Sequence, residues 1–306
     1  MGKLISIIIP HKNSLETLKE LLHTAPNRKD IEIIIVDDHS EERIQEQLLS
    51  EVQYISPNIR VIMNETEVYS AGKARNLGLK FATGKWIIFA DADDLFTENF
   101  VTAIEDYKDS DLEAIYFRPL ISGERSGGYS RMVEVFDIYQ KEPSYNNLLL
   151  VKLRMDVPWS KMVRRSFIEE NNIFFDEVIK NNDTMFSKKL AILSKNVAIS
   201  DLPIYTYEVL ETGITSNRTL ATDLCRMDVQ SRAYALQVEY YGKKRLLDIN
   251  PEVLYSPIIL IYAMGRELGA KKEGKKIYFK NAHWRLTVKS IIWGIRGYLR
   301  AKKLFK

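Results

Sequence analysis

The chain has 306 residues, 45% of them hydrophobic and 28% charged, with a formal net charge of +3. That composition supplies enough apolar mass for a real core and excludes the disordered, collagen-like and disulfide-scaffold classes. A single cysteine, Cys225, can build neither an internal disulfide nor a Cys-based zinc site. Without a leader pattern or an apolar run of the ~18–20 residues a membrane span needs, a cytoplasmic setting is expected.

In chain order, the β-branched run Leu4–Ile9 predicts a buried strand ended by Pro10. Ser14 reads as the cap of a helix with Leu15, Leu18, Leu21 and Leu22 on one face. Further strands are expected at Ile31–Val36, Arg60–Met63, Trp86–Ala90 and Leu112–Phe117. Helices are expected over Glu41–Ser50, Ser70–Ala82 and Thr97–Tyr107, the last capped by Thr97. Strands apolar throughout that alternate with helices predict an α/β fold, a mostly parallel sheet covered on both faces. Ligands of such sheets sit outside the carboxyl ends of the strands.

Beyond residue 120, Gly123–Gly128 reads as a turn and the segment through Tyr139 as antiparallel strands. Ser144–Leu153, Arg165–Asn171 and Thr184–Ser194 read as helices, and from about Leu220 the pattern is helical. Residues 1–220 thus form the expected main domain and 221–306 a helical extension. The extension ends in a basic tail: Gly265 to Lys306 holds 13 Lys and Arg against Glu267 and Glu273, which leaves the remaining body net acidic. On a helical projection Trp284, Ile291, Ile295 and Leu299 share one face, flanked by arginines and lysines. This is the pattern of an interfacial helix on an anionic membrane, with docking on the acidic body as the competing reading.

Three polar clusters fall at strand ends: Pro10-His11-Lys12-Asn13, Asp37-Asp38-His39-Ser40 and Asp91-Ala92-Asp93-Asp94. Consecutive carboxylates there repel one another and are desolvated, which folding alone gives little reason to assemble. A divalent cation offsets that repulsion, and Mg²⁺ or Mn²⁺ favours carboxylate and phosphate oxygens. Helix capping by Asp is the plainer alternative.

The runs IIIPHKN, IIIVDDHS, AGKARNLGL and GKWIIFADADD, in that order, resemble the nucleotide-sugar-binding half of family 2 inverting glycosyltransferases with a GT-A fold. A looser likeness continues through VPWSKMVRRSFIEENNIFFDE, Asn182-Asp183 and YTYEVLETGITS. The resemblance implies transfer of a sugar from a nucleotide-sugar donor, a UDP-sugar, to a hydroxyl of a growing, lipid-linked glycan. It implies Pro10 and Asp38 around the nucleobase, with Gly72, Lys73, Arg75 and Asn76 lining the same pocket. Asp91 is expected near the ribose and, with Asp93, at a Mn²⁺ or Mg²⁺ ion. Asp94 would orient a neighbour or cap the next helix. Asp183 is implied as the base that deprotonates the acceptor, with an N-cap role as the alternative, and Trp159 and Lys161 match a Trp-x-Lys pattern near the sugar or acceptor.

Two departures stand out. The family's Glu-Asp pair is Asn182-Asp183 here, and Glu208 stands where many relatives have arginine, leaving Arg218 as the nearest cation. A sugar-1-phosphate nucleotidyltransferase would want a Gly-rich basic loop after the first strand, where this chain has HKNSLET. A non-catalytic polyanion-binding protein would account for the tail but not for four aspartates gathered at the strand ends. Residues 281–306 are therefore expected to hold an enzyme, and not a nucleic-acid binder, on the inner face of a membrane.

Overall fold

The computed structural model describes residues 2–123, 130–209, 219–249, 261, 264 and 269–282. Strand β1 (Ile5–His11) lies between β2 (Ile31–Asp37) and β4 (Trp86–Phe89), parallel to both, and β3 (Ile59–Met63) pairs with β2. β8 (Lys161–Arg164) inserts antiparallel between β4 and β6 (Ala114–Phe117), and β9 (Val197–Ser200) closes the order β3-β2-β1-β4-β8-β6-β9. The sheet is mostly parallel, as the apolar strands predict. Alternate side chains explain why those strands are apolar throughout. Ile7 and Ile9 pack on one face with Leu18 and Leu21 of α1 (Leu15–Thr24), while Ile8 packs on the other with Ala74 and Leu79 of α3 (Ala71–Phe81).

A small second sheet caps the site end: β10 (Tyr205–Glu208) runs between β5 (Leu95–Phe96) and β7 (Leu120–Ser122). The remaining first-half helices are α2 (Glu42–Glu51) and α4 (Asn99–Tyr107). Helix α4 starts two residues later than expected, because Thr97 spends its hydroxyl on Pro203 O at 2.6 Å and does not cap it. Ser14 precedes α1 without a side-chain capping bond. The segment expected to give antiparallel strands through Tyr139 is instead helix α5 (Ser130–Lys141). Met132, Val135, Phe136 and Tyr139 recur there at helical spacing and meet the core together.

Helices α6 (Tyr145–Arg154), α7 (Arg165–Glu170) and α8 (Thr184–Leu193) lead into a helical C-terminal region: α9 (Leu220–Tyr241), α10 (Lys243–Ile249) and α11 (Lys271–Ala282). That region shares a core with the rest: Leu149, Leu153 and Ala191 pack with Met227, Tyr234, Leu246 and Tyr278. Arg218, most of the Gly123–Gly128 turn, and the tail from residue 283 onward, with Trp284, Ile291, Ile295 and Leu299, lie outside the described residues.

Candidate active site

At the ends of β1 and β2 two adjacent aspartates have different tasks. Asp37 is fully buried: its carboxylate accepts from Ser40 Oγ at 2.5 Å, Gln45 Nε2 at 2.9 Å and Ser40 N at 3.1 Å. His11 Nδ1 adds a bond at 2.8 Å, and Ser14 N–H donates to its Nε2 at 3.3 Å, which places the ring proton on Nδ1. Burial pushes the Asp37 carboxyl up, but these bonds outweigh it and hold it below the ordinary carboxylate range. Asp37 is thus a structural anchor.

Asp38 instead meets Asn64, whose Nδ2 donates to its Oδ1 at 2.7 Å and to Val68 O at 2.9 Å. Asn64 Oδ1 also accepts from Thr66 Oγ1 at 2.8 Å, so one amide seats the loop that leads to α3 over Asp38. The sequence reading missed Asn64; its place immediately after β3, where its N–H donates to Asp37 O at 2.9 Å, is the strand-end signal that marks it. Beside it Tyr69 is exposed, with Lys12 Nζ 4.7 Å over its ring and His39 edge-on at 6.0 Å. Pro10 is half-buried at the same strand end.

The second cluster gathers at the end of β4. Arg75, only 4% exposed, extends from α3, pairs with Asp91 and donates to Asn182 Oδ1 at 2.8 Å, with Phe175 5.3 Å from its guanidinium. Its Nε is buried with no partner among the described residues. Asp91 N–H donates to the Tyr205 hydroxyl at 2.8 Å, which donates in turn to Asp94 Oδ2 at 2.6 Å. Glu208 N completes the set on Asp94 Oδ1 at 2.9 Å. Asp94 therefore orients Tyr205 and does not cap a helix. The Glu208 carboxylate is tied to Ser122, away from this cluster.

Burial, then the charge of Asp91, raises both Asp93 and Asp94, the latter to about 9. Among the described residues no group of three or more His, Cys, Asp or Glu side chains is arranged to hold an ion unaided. A hard cation of the Mg²⁺ type asks for less, one or two carboxylates with phosphate oxygens and water making up the shell. Asp93 and Asp91 fit that demand, and a positive charge there would relieve the crowding that raises Asp93 and Asp94.

Asp183 reaches the same place from α8. It occupies the N-cap position but makes no side-chain capping bond. Densely surrounded yet partly open to solvent, its carboxyl is pushed up to about 6, by burial first, with Arg75 opposing and Asp91 adding. The residue before Asn182, Asn181, turns the chain with φ 56°.

The other expected site residues also make contacts within the protein. Gly72 makes its close approach to the protein itself: a Cβ there would lie 2.1 Å from Asp176 O and 2.9 Å from Asn182 Cβ. Asn76 holds both backbone groups of Phe175, which leads into that loop, donating to its O at 3.0 Å and accepting from its N–H at 2.9 Å. Lys73 pairs with Glu177 at 3.2 Å. Trp159, 2% exposed, stacks near-parallel on Tyr205 and Tyr207 at 5.4 and 5.1 Å, and acts on the site through Tyr205. Lys161 is buried, its ammonium over the Tyr116 ring and donating to Val157 O; burial lowers it to about 7, against the charges of Asp156 and Asp183.

The sequence pattern of glycosyl transferase family 2 matches residues 6–171. The poly(ribitol-phosphate) beta-N-acetylglucosaminyltransferase TarS of Staphylococcus aureus is 23% identical over 253 residues, 80% of this chain and 40% of TarS. The chain thus spans well under half the length of that relative. The crystal structure of S. aureus TarS 1–349 in complex with UDP-GlcNAc superposes with a TM-score of 0.66 at 20% identity, covering 91% of this chain and 79% of that one. The mannosyltransferase PcManGT from Pyrobaculum calidifontis, in complex with GDP-Man and Mn²⁺, superposes with a TM-score of 0.56 at 14% identity, covering 99% and 86%.

Proposed function

The chain belongs to glycosyl transferase family 2, and on that premise we propose that it moves a sugar from a UDP-sugar to a hydroxyl of a growing, lipid-linked polysaccharide, with inversion at the anomeric carbon. One observation carries the reading: Arg75 bridges Asp91 and Asn182, which brings the uncapped carboxylate of Asp183 to the acidic end of β4. Among the described residues Asp183 neither caps its helix nor forms an ion pair, and such a carboxylate is available for proton transfer.

Asp38 accepts from the nucleobase N–H, next to Pro10 and the Tyr69 rim. Arg75, already between two partners, adds positive charge where the diphosphate lies. The acceptor oxygen attacks the anomeric carbon as the bond to the diphosphate oxygen breaks, and the electron pair leaves with UDP. Asp183 takes the acceptor proton. A single displacement from the face opposite the leaving group inverts the configuration. Asp93 and Asp91 would hold Mn²⁺ or Mg²⁺, whose contribution is neutralisation of the departing diphosphate. The TarS complex supports UDP-GlcNAc as the first donor to try, and the PcManGT complex supports Mn²⁺ as the first ion.

The test is a donor panel of UDP-GlcNAc, UDP-glucose, UDP-galactose and GDP-mannose, each with Mn²⁺ or with chelator, read by melting temperature and donor turnover. At least one UDP-sugar is expected to stabilise the protein, and to do so more strongly with Mn²⁺. No shift with any nucleotide sugar would defeat the reading, and equal shifts with chelator would remove the ion.

A further inference from the structure

Helix α9 lies beyond residue 171, where the family match ends, yet it reaches the site through the loop Asp176–Asn182. The loop closes on itself, with Asp176 N–H donating to Asn182 O at 3.0 Å. One side rests on α3, where Gly72 leaves room for Asp176 O and Asn76 grips Phe175. The other side faces α9. There the Arg232 guanidinium donates to Asp176 Oδ2 at 2.7 Å and to Asp228 Oδ2 at 2.8 Å. Asp228 is held in turn by Asn281 of α11, whose Nδ2 donates to Oδ1 at 2.8 Å. Val178 of the loop packs against the cluster that Val229 and Ala233 of α9 form with Met185, and Cys225 Sγ lies 3.4 Å from Lys180 O.

We propose that Arg232 is a positioning residue for the transfer step: by gripping Asp176 it fixes the loop that ends in Asn182 and Asp183. The proposal rests on the reading of Asp183 as base. The loop is only partly buried: Val178 packs against α9, but Ile179 is 53% exposed and Asn181 has a left-handed backbone. Its place therefore depends on its tethers. A guanidinium is suited to the task because its planar fork directs bonds to two carboxylates at once, here on two separate elements. What it holds is consequential: Asn182 orients Arg75, and Arg75 orients Asp91. Displacing a catalytic carboxylate by even about 1 Å lowers the rate of reaction far more than it lowers donor affinity. Asp228 and Arg232 alone would read as an ordinary i, i+4 surface pair; the tether to Asp176 gives the pair its role.

The experiment uses the full chain with Arg232→Ala, Arg232→Lys, Asp176→Asn and the Arg232→Ala/Asp176→Asn double variant. Three quantities are read: hydrogen exchange of peptides covering 173–183, UDP affinity by calorimetry, and kcat at saturating donor. Arg232→Ala is expected to speed exchange in that loop and lower kcat about 10- to 100-fold, with a much smaller loss of UDP affinity. Asp176→Asn should match it, the double variant should be no worse than either single change, and Arg232→Lys should recover part of the rate. Unchanged exchange, unchanged kcat, or losses that add in the double variant would overturn the proposal. If Arg232→Ala fails to fold, Arg232→Lys and Asp176→Asn decide by the same readouts. Asp183→Asn separates the two readings: if it keeps transfer, the base assignment falls, while the exchange and kcat responses of the Arg232 variants still judge the tether.

Discussion

Two influences oppose one another at Asp183. The N-terminus of α8 favours the anion, while burial disfavours it and leaves the carboxyl at about 6 in place of 3.8. A general base works only when ionised. The rate of transfer is therefore expected to be level at neutral pH and to fall as pH drops through about 6; an unperturbed aspartate would sustain it to far lower pH. Asp183→Asn should lower transfer by about 10²–10⁴-fold. It should barely move UDP affinity and should not lower the melting temperature, because no capping bond is lost and a buried anion is removed. A rate within a few-fold of wild type would remove the assignment. Residue type and strand-end position mark Asp38, Arg75, Asp91, Asp93 and Asp183 as candidates in the sequence, but nothing local reveals their partners. Asp37 and Asp38 are the same residue side by side, and strand alternation sends one into a buried anchor and the other to Asn64.

The edge of the sheet opposite the site is organised by Glu32 of β2. One oxygen, Oε1, accepts from Ser6 Oγ of β1 at 2.5 Å, Thr83 N at 2.7 Å, Thr83 Oγ1 at 2.8 Å and Gly84 N at 3.2 Å. Burial alone would raise this carboxyl, but the bonds outweigh it and its pKa lies below 4.5. A depressed folded pKa gives stability that is present above the unfolded value and lost as pH falls through the folded one. Glu32→Gln should thus cost about 1–3 kcal/mol at pH 7, since a neutral amide oxygen accepts these bonds more weakly than the carboxylate does, and the penalty should shrink in acid. UDP affinity should stay unchanged, because the cluster ties β1, β2 and the start of β4 far from the strand ends that form the site. A denaturation series from pH 7 to 3 checks both statements; equal penalties at all pH values would contradict the linkage. Elements with strong patterns were readable, notably the four parallel strands and α3. The short strands β5, β7 and β10 were not, because two to four residues carry no periodicity and their pairing partners lie as far as a hundred positions away.

Over the whole molecule, charge is segregated, and α11 shows the basic end of it. Lys272, Lys275 and Lys276 are exposed around Phe279, itself 48% exposed, while Gly274 and Tyr278 face the core. Among the described residues no helix is long and apolar enough to cross a membrane. A lysine face centred on an aromatic instead suits the surface of an anionic bilayer, and supports the proposal that the C-terminal segment holds the enzyme near a lipid-linked acceptor. The intact chain should co-sediment with anionic vesicles and far less with neutral ones. Lys272→Glu/Lys275→Glu/Lys276→Glu should weaken that binding, as should salt that shortens screening below ~10 Å. No binding at low salt, together with a large fall in melting temperature on removing 283–306, would show that the tail docks on the acidic body. The sequence by itself determined the sheet, its covered faces and the residue types at its carboxyl edge, because hydrophobic periodicity and strand-end clusters are local signals. Only the tertiary structure decided which part of the core α5 packs on, that Trp159 stacks on Tyr205, and that Asp183 makes no capping bond beside Arg75. These are outcomes of packing between segments far apart in the chain, where burial and competing hydrogen-bond partners choose among conformations that the local sequence leaves equally open.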